Sequence, residues 1–295
     1  KINYSKLVLA TGSKPNNCGI PGVSDFALMF HCLADVEALR KLIIKLRNSN
    51  KIQSNLIIIG AGATGVELAC KVSDLLRGQT TIYLIESAKD FLSNAKSFNR
   101  EQAKKAINLR DIKVYLSTEV TEISADMVFF KHLNQGEPTK SKLPYDGVIW
   151  TAGSLPLLPE IIPKPHLSNG RIKIDSYLNA IDYEDVIAIG DTSFHEEMPY
   201  PSNAQLAIQQ GEFVAKNLIF SNKGFMTKSF TFNNLGEMLS LGIGKASLAG
   251  LGLKISGSVA FQIRRMTYLT KIPKPSLGLR LIGAWLLGHG KNANK

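Results

Sequence analysis

Apolar positions along the chain fall into short solid runs that alternate with stretches spaced for a helix. Lys6 to Ala10 is a short β-type run ending in Thr-Gly, and Val36 to Leu46 repeats its apolar residues at helical spacing. Asn55 to Ile59, Thr81 to Ile85, Lys113 to Leu116 and Gly147 to Thr151 read as buried strands, because their apolar and β-branched residues leave no polar face for solvent. Strands alternating with helices predict parallel sheets and an α/β fold. Two Pro- and Gly-rich stretches break the pattern, Lys14 to Gly22 and Pro156 to Pro165, and mark domain boundaries. The chain holds no internal repeat and no low-complexity segment.

Size and composition narrow this picture. With 295 residues, 44% of them hydrophobic, the chain can bury a large core and build about two domains of roughly 100 to 200 residues each. Cys18, Cys32 and Cys70 are odd in number and show no metal-ligand spacing, which points to a reducing compartment and to no zinc site. The longest apolar attempt, Leu277 to Leu287, is broken by Arg280 and is too short for a membrane span of about 18 residues. The net charge of +11 is not spread evenly. From Lys216 onward there are 12 basic residues against one acid, Glu237, while the residues before it balance. A surface-binding module is one reading of that partition and a solvated basic face is the other; nucleic acid is not among the partners expected.

The sharpest chemical signal is Leu56-Ile-Ile-Ile-Gly60-Ala-Gly62-Ala-Thr-Gly65-Val-Glu67-Leu-Ala. An apolar strand precedes this G-x-G-x-x-G, a helical pattern follows it, and Glu86 ends the next strand at the distance expected of a dinucleotide-binding βαβ unit. Gly60 allows the tight turn, Gly62 lets backbone approach a pyrophosphate, and Gly65 lets helix pack closely on strand, with the helix N-terminus facing the phosphates. Glu86 can accept hydrogen bonds from both ribose hydroxyls and would repel a 2′-phosphate, so NADH is favoured over NADPH, although Lys89 stands nearby.

Three further signals follow in a fixed order: Leu9-Ala-Thr11-Gly12-Ser, Trp150-Thr151-Ala152-Gly153, and Val186-Ile-Ala-Ile-Gly190-Asp191. Together with the fingerprint they resemble the two-dinucleotide-binding-domain flavoproteins. The resemblance implies that the two Thr-Gly type strands are chain crossings between domains and that Asp191 contacts FAD; an Asp capping the following turn is the other reading. Pro201-Ser-Asn-Ala204-Gln205-Leu-Ala207-Ile-Gln209-Gln210-Gly211 looks like the A-Q-x-A-x-Q segment of type II NADH:quinone oxidoreductases, most closely the cyanobacterial and plastid branch. On a helix, Gln205 and Gln209 would share a face, able to meet the flavin edge and a quinone carbonyl. Glu67 resembles the acid that lies near the nicotinamide in that family, and a carboxylate stabilising a helix N-terminus fits it equally.

What the resemblance implies is a Rossmann-like NAD domain at about 31 to 153, inserted in an FAD domain built from 1 to 30 and 154 to 230, and a basic, amphipathic C-terminal module at 231 to 295 that associates with a membrane. Thr11, Gly12, Ala152, Gly153, Gly190, Asp191, Ala204 and Gln205 would attend the flavin; Gly60, Gly62, Gly65 and Glu86 would hold NADH; Glu67, Gln205 and Gln209 would serve catalysis. The chain opens at Lys1 without the family's first G-x-G-x-x-G, so the FAD domain is expected to be incomplete here. The expected activity is hydride transfer from NADH to FAD and two-electron reduction of a membrane quinone without proton pumping, by a peripheral protein on the cytoplasmic face, with a homodimer left open. A flavoprotein disulfide reductase and a non-catalytic nucleotide-binding remnant stay as alternatives.

Overall fold

The computed structural model describes residues 3–133, 139–223, 228–272 and 274–288. Five parallel strands make the central sheet of the nucleotide half, in the spatial order Leu28–Met29, Gly147–Trp150, Ser54–Ile59, Thr80–Ile85, Lys113–Tyr115. The chain therefore leaves Ser54–Ile59 on one side and returns at Gly147–Trp150 on the other. In sheets of this kind ligands bind outside the carboxyl ends of the strands at such a reversal.

The expected buried strands are found within a residue or two of where the pattern put them, and the reason is their composition. Leu56, Ile57, Ile58, Leu84 and Ile149 are fully buried, each worth about 1.5–3 kcal/mol of apolar transfer. The helix Ala63–Leu76 presses Val66, Ala69, Cys70, Val72 and Leu76 onto this sheet. Leu33–Arg47 is started by Asp35, whose carboxylate accepts from the Cys32 and His31 N–H groups at 2.8 Å each, and it ends with Lys45 and Arg47 beside its exposed carbonyls.

A second sheet carries the six strands Leu7–Leu9, Tyr183–Ala188, Asn179–Ala180, Arg171–Ile174 and Leu167–Ser168 in that order, with Ser193–His195 parallel to Arg171–Ile174. The helix Ala204–Asn222 lies against it through Leu206 and Val214. Between the halves, Ser13–Pro15 pairs antiparallel with Ser154–Pro156, so the two expected crossings run side by side.

The C-terminal part is a hairpin sheet, Glu237–Ser240, Ala246–Gly250 and Leu253–Gly257, followed by the helices Ser258–Thr270 and Pro275–Gly288. Leu239 and Leu241 sit in the same core as Leu68, Val72 and Leu76, which ties this hairpin into the nucleotide half instead of leaving it apart. Among the elements with no expectation behind them are one helix and one sheet. The helix Ser97–Asn108 buries only Asn99, Ala103, Ala106 and Ile107, too few apolar residues to declare a period. The antiparallel sheet Thr118–Ile123, Met127–His132 and Thr139–Pro144 is rich in Lys, Thr, Glu and Ser.

Candidate functional site

The fingerprint turn has the shape its glycines require. Gly60 holds φ +99°, and a Cβ there would lie 2.9 Å from the Ala152 nitrogen, so this turn touches the second crossing directly. A Cβ on Gly65 would overlap the Gly60 carbonyl oxygen. A Cβ on Gly62 would meet nothing within 4 Å, and Gly62 caps Ala63–Leu76 without a side-chain bond. Free N–H groups at a helix start, beside an open glycine, fit a pyrophosphate.

Glu86 locks this turn. Its Oε2 accepts from Ala61 N–H at 2.7 Å and its Oε1 from Ala88 N–H at 2.9 Å, while Leu92 N–H donates to the Ala61 carbonyl at 2.9 Å. Both polar groups of Ala61 are thus fixed. Thr151 strengthens the same spot, its hydroxyl donating to the Ile59 and Gly60 carbonyls.

Around the first crossing, Thr11 donates to the Leu157 carbonyl, and Gly12, at φ +69°, faces open space. Asp191 follows Gly190 in a single 3₁₀ turn, Gly190–Thr192. One Asp191 oxygen accepts from the Ser13 hydroxyl at 2.7 Å; the other has no protein donor among the described residues. Left-handed glycines at the turn and an acceptor oxygen with no protein donor suit a hydroxyl-rich ligand chain, so the residues present fit FAD.

The two glutamines do share a face, but what they meet is backbone. Gln205 donates to the Gly236 carbonyl at 3.3 Å and accepts from Leu235 N–H at 3.0 Å. Gln209 donates to the Asn233 carbonyl at 2.8 Å and accepts from Asn233 N–H at 2.9 Å. Each amide acts as a strand edge for residues 233 to 236. Ala204 opens their helix, which Asn203 caps by accepting from Leu206 N–H at 2.8 Å.

Glu67 reaches the other flank of that segment. Its carboxylate accepts from Ser240 N–H at 2.8 Å and pairs with Arg264 at 3.3 Å. Burial pushes its carboxyl above the ordinary glutamate range, while the Ser240 N–H and the Arg264 charge pull it back. Arg264 also stacks on Tyr268, 4.9 Å from the ring centre. The helix-N-terminus reading of Glu67 is not what its partners show: both come from the C-terminal part.

Sequence reasoning missed three residues that matter here. Glu237, the one acid of the basic C-terminal stretch, accepts from Lys96 N–H and from Asn99 at the start of Ser97–Asn108. Its solitude among bases was the available signal. Ser13 had none beyond its place after Gly12. Gln210 is buried, and the four-residue stripe Leu206, Gln210, Val214 could have shown it.

The family model for pyridine nucleotide-disulphide oxidoreductases matches residues 1–211. The chain belongs to that family. A relative from Synechocystis, the demethylphylloquinone reductase NdbB, is 32% identical over 97% of this chain and 72% of its own. The Arabidopsis alternative NAD(P)H-ubiquinone oxidoreductase C1, chloroplastic/mitochondrial, is 29% identical over 92% of this chain, which spans 57% of that relative's length. Among solved structures, NDH2 from Plasmodium falciparum in complex with NADH superposes with a TM-score of 0.78 at 17% identity, over 92% of this chain and 75% of that one. The expected two-dinucleotide fold is therefore borne out for this member of the family.

Proposed function

We propose that the protein is an FAD-dependent NADH:quinone oxidoreductase. The observation that carries this reading is convergence: Glu67, on the helix of the nucleotide fingerprint, and Gln205 with Gln209, on the helix after Gly190-Asp191, grip one continuous segment, residues 233 to 240. A nucleotide site and a flavin site that share a wall place donor and acceptor in reach of one another. The balance is NADH, one proton and a quinone giving NAD⁺ and a quinol. FAD, when bound, takes the hydride from NADH and passes two electrons on. The protein's own part is to hold the nucleotide at Gly60 to Gly65, keep Glu86 on the ribose side and shape the acceptor wall with Gln205 and Gln209. The two relatives named above reduce demethylphylloquinone and ubiquinone by name, which supports a quinone as the acceptor.

Rapid mixing separates the two halves of the reaction. Gln205→Ala and Gln209→Ala are expected to slow oxidation of the reduced flavin by quinone about tenfold or more, as each loses two backbone bonds of the acceptor wall, and to leave reduction by NADH near the wild-type rate. Quinone oxidation at full speed in both variants would remove the glutamines from the site. Faster oxidation by a disulfide than by any quinone would hand the protein to the disulfide reductases.

Nucleotide choice has its own test. Glu86→Arg should lower kcat/KM for NADH by at least tenfold and narrow its lead over NADPH, since it removes both a ribose acceptor and the bond to Ala61 while adding a phosphate partner. Steady-state kinetics with both nucleotides measure this; equal values before and after would take Glu86 out of the site.

We further propose attachment to an anionic membrane surface at its cytoplasmic face, in keeping with three free thiols. Among the described residues no helix is long and apolar enough to cross a membrane. Instead Val259, Met266, Tyr268, Leu277 and Leu279 stand exposed on the two terminal helices, which also carry Arg265 and Arg280, with Lys271 and Lys274 in the link between them. The side chains of Trp285 and Leu287, also expected to take part, lie outside the described residues. Each base near such a surface contributes on the order of 1 kcal/mol, and inserted apolar groups add to it. Sedimentation with anionic liposomes should carry the protein down at low salt and release it as salt rises; protein left in the supernatant at low salt would defeat the attachment.

A further inference from the structure

We propose that Gln210 is a positioning residue for the flavin, one that sets the Gly190–Asp191 turn; the inference rests on the FAD reading above. Gln210 has no exposed surface. Its Oε1 accepts from the Gly190 N–H at 2.6 Å, and because only the oxygen of an amide can accept, this bond fixes which way the side chain faces. Nε2 then points into the core with no protein acceptor among the described residues. An apolar side chain of the same length would fill the place without carrying an unpartnered donor into the interior, a cost that only a specific gain offsets. The single bond that Gln210 makes is to the turn that aims Asp191.

Other contacts hold the rest of the turn. Gly190 sits at φ +65°, a conformation that a helix or strand on either side does not impose. Its carbonyl accepts from the Ser193 hydroxyl at 3.0 Å, and Thr192 donates to the Ile189 carbonyl at 2.8 Å. A Cβ on Gly190 would lie 3.3 Å from the Ala207 Cβ, so the helix Ala204–Asn222 backs the turn closely, and Gln210 lies one turn further along that same face. Ser13 holds one Asp191 oxygen through its hydroxyl. One hydrogen bond thus holds the Gly190 nitrogen and another the Asp191 carboxylate, on either side of the peptide that joins the two residues.

The test compares Gln210→Met and Gln210→Glu with the wild type in the full-length flavin-loaded protein, reading the flavin dissociation constant by fluorescence and the melting temperature with and without flavin. Gln210→Met keeps the shape and loses the acceptor. Flavin should bind about tenfold more weakly, the effect of one hydrogen bond to a buried N–H. The flavin-free melting temperature should stay within a few degrees of wild type, because the freed Gly190 N–H and the removed Nε2 offset one another. Gln210→Glu retains an acceptor oxygen for Gly190 and should restore flavin affinity to within threefold. Wild-type affinity in Gln210→Met overturns the proposal, and so does a flavin-free protein that melts far lower or fails to fold, since that is the mark of an ordinary core residue. A wild-type protein that holds no flavin would instead sink the FAD reading itself, and this inference with it.

Discussion

Gly65→Ala is expected to cost both NADH binding and stability, whereas Gly62→Ala, three residues away, should cost binding alone. At Gly65 the added methyl would run into the Gly60 carbonyl oxygen and come within 2.9 Å of the Thr151 hydroxyl. Neither is the free end of a flexible chain. The helix Ala63–Leu76 must therefore lift from the strand Ser54–Ile59, an overpacking worth about 1–3 kcal/mol, and the turn that cradles the pyrophosphate opens with it. A rise of about a hundredfold in the NADH dissociation constant matches a loss near 3 kcal/mol. At Gly62 the backbone is ordinary, φ −70°, and an added Cβ would meet nothing within 4 Å, so the folded protein should keep its stability to within about 0.5 kcal/mol. In the proposed site its methyl would stand where the pyrophosphate approaches. Calorimetric titration with NADH and thermal melting of both variants decide the matter, and a wild-type dissociation constant for Gly65→Ala would sink the close-packing account.

Much of this site was legible because its chemistry is local. The fingerprint, its strand and Glu86 fall within about thirty residues, and the physical demands on them, a tight turn, an open backbone and a ribose acceptor, each select one residue type. The two crossings were legible as Thr11-Gly12 and Thr151-Ala152-Gly153, though their pairing as adjacent strands depends on Ser13 and Pro156 meeting across the molecule. Spacing put Gln205 and Gln209 on one helix face. It said nothing of what that face meets, because residues 233 to 236 lie beyond the helix and have no period of their own.

The charge partition shows the same limit from another side. Twelve bases against one acid suggested a module standing apart, yet Leu239 and Leu241 are core residues of the nucleotide half, and Arg264 is spent on Glu67. Glu237, the one acid of that stretch, accepts from the Lys96 N–H and from Asn99 at the start of the helix Ser97–Asn108. Such pairings join residues more than a hundred positions apart, and neither period nor motif reaches that far. The helix Ser97–Asn108 was hidden for a related reason: part of what holds its N-terminal end is Glu237, not a cap written beside it.

Arg110→Ala is expected to loosen the C-terminal hairpin from the nucleotide half and to destabilise the protein by about 2–3 kcal/mol, the cost of stripping a largely buried pair of one partner. Arg110 meets both oxygens of Asp74, at 2.7 and 3.0 Å, and donates to the Leu241 carbonyl at 3.1 Å and the Ala106 carbonyl at 2.9 Å. Asp74 in turn accepts from Ile243 N–H at 2.6 Å. One guanidinium and one carboxylate thus bind both ends of the loop Leu241 to Ile243 to the helix Ala63–Leu76. Burial alone would raise the Asp74 carboxyl, but the Arg110 bonds, the Ile243 N–H and the guanidinium charge outweigh it and leave it below the ordinary aspartate range. A depressed pKa in the folded state means that the contribution is present in full above the unfolded value, about 3.9, and fades as the pH falls through the lower folded value. The wild type should therefore outlast Arg110→Ala by the full margin at pH 7 and by a shrinking one below about pH 4. Denaturant melts at the two pH values measure it, and hydrogen exchange at Ser240 to Ile243 reports the hairpin directly. Equal stability of the two proteins at pH 7, with exchange in that loop unchanged, would show that Arg110 holds nothing the apolar contacts of Leu239 and Leu241 do not already hold.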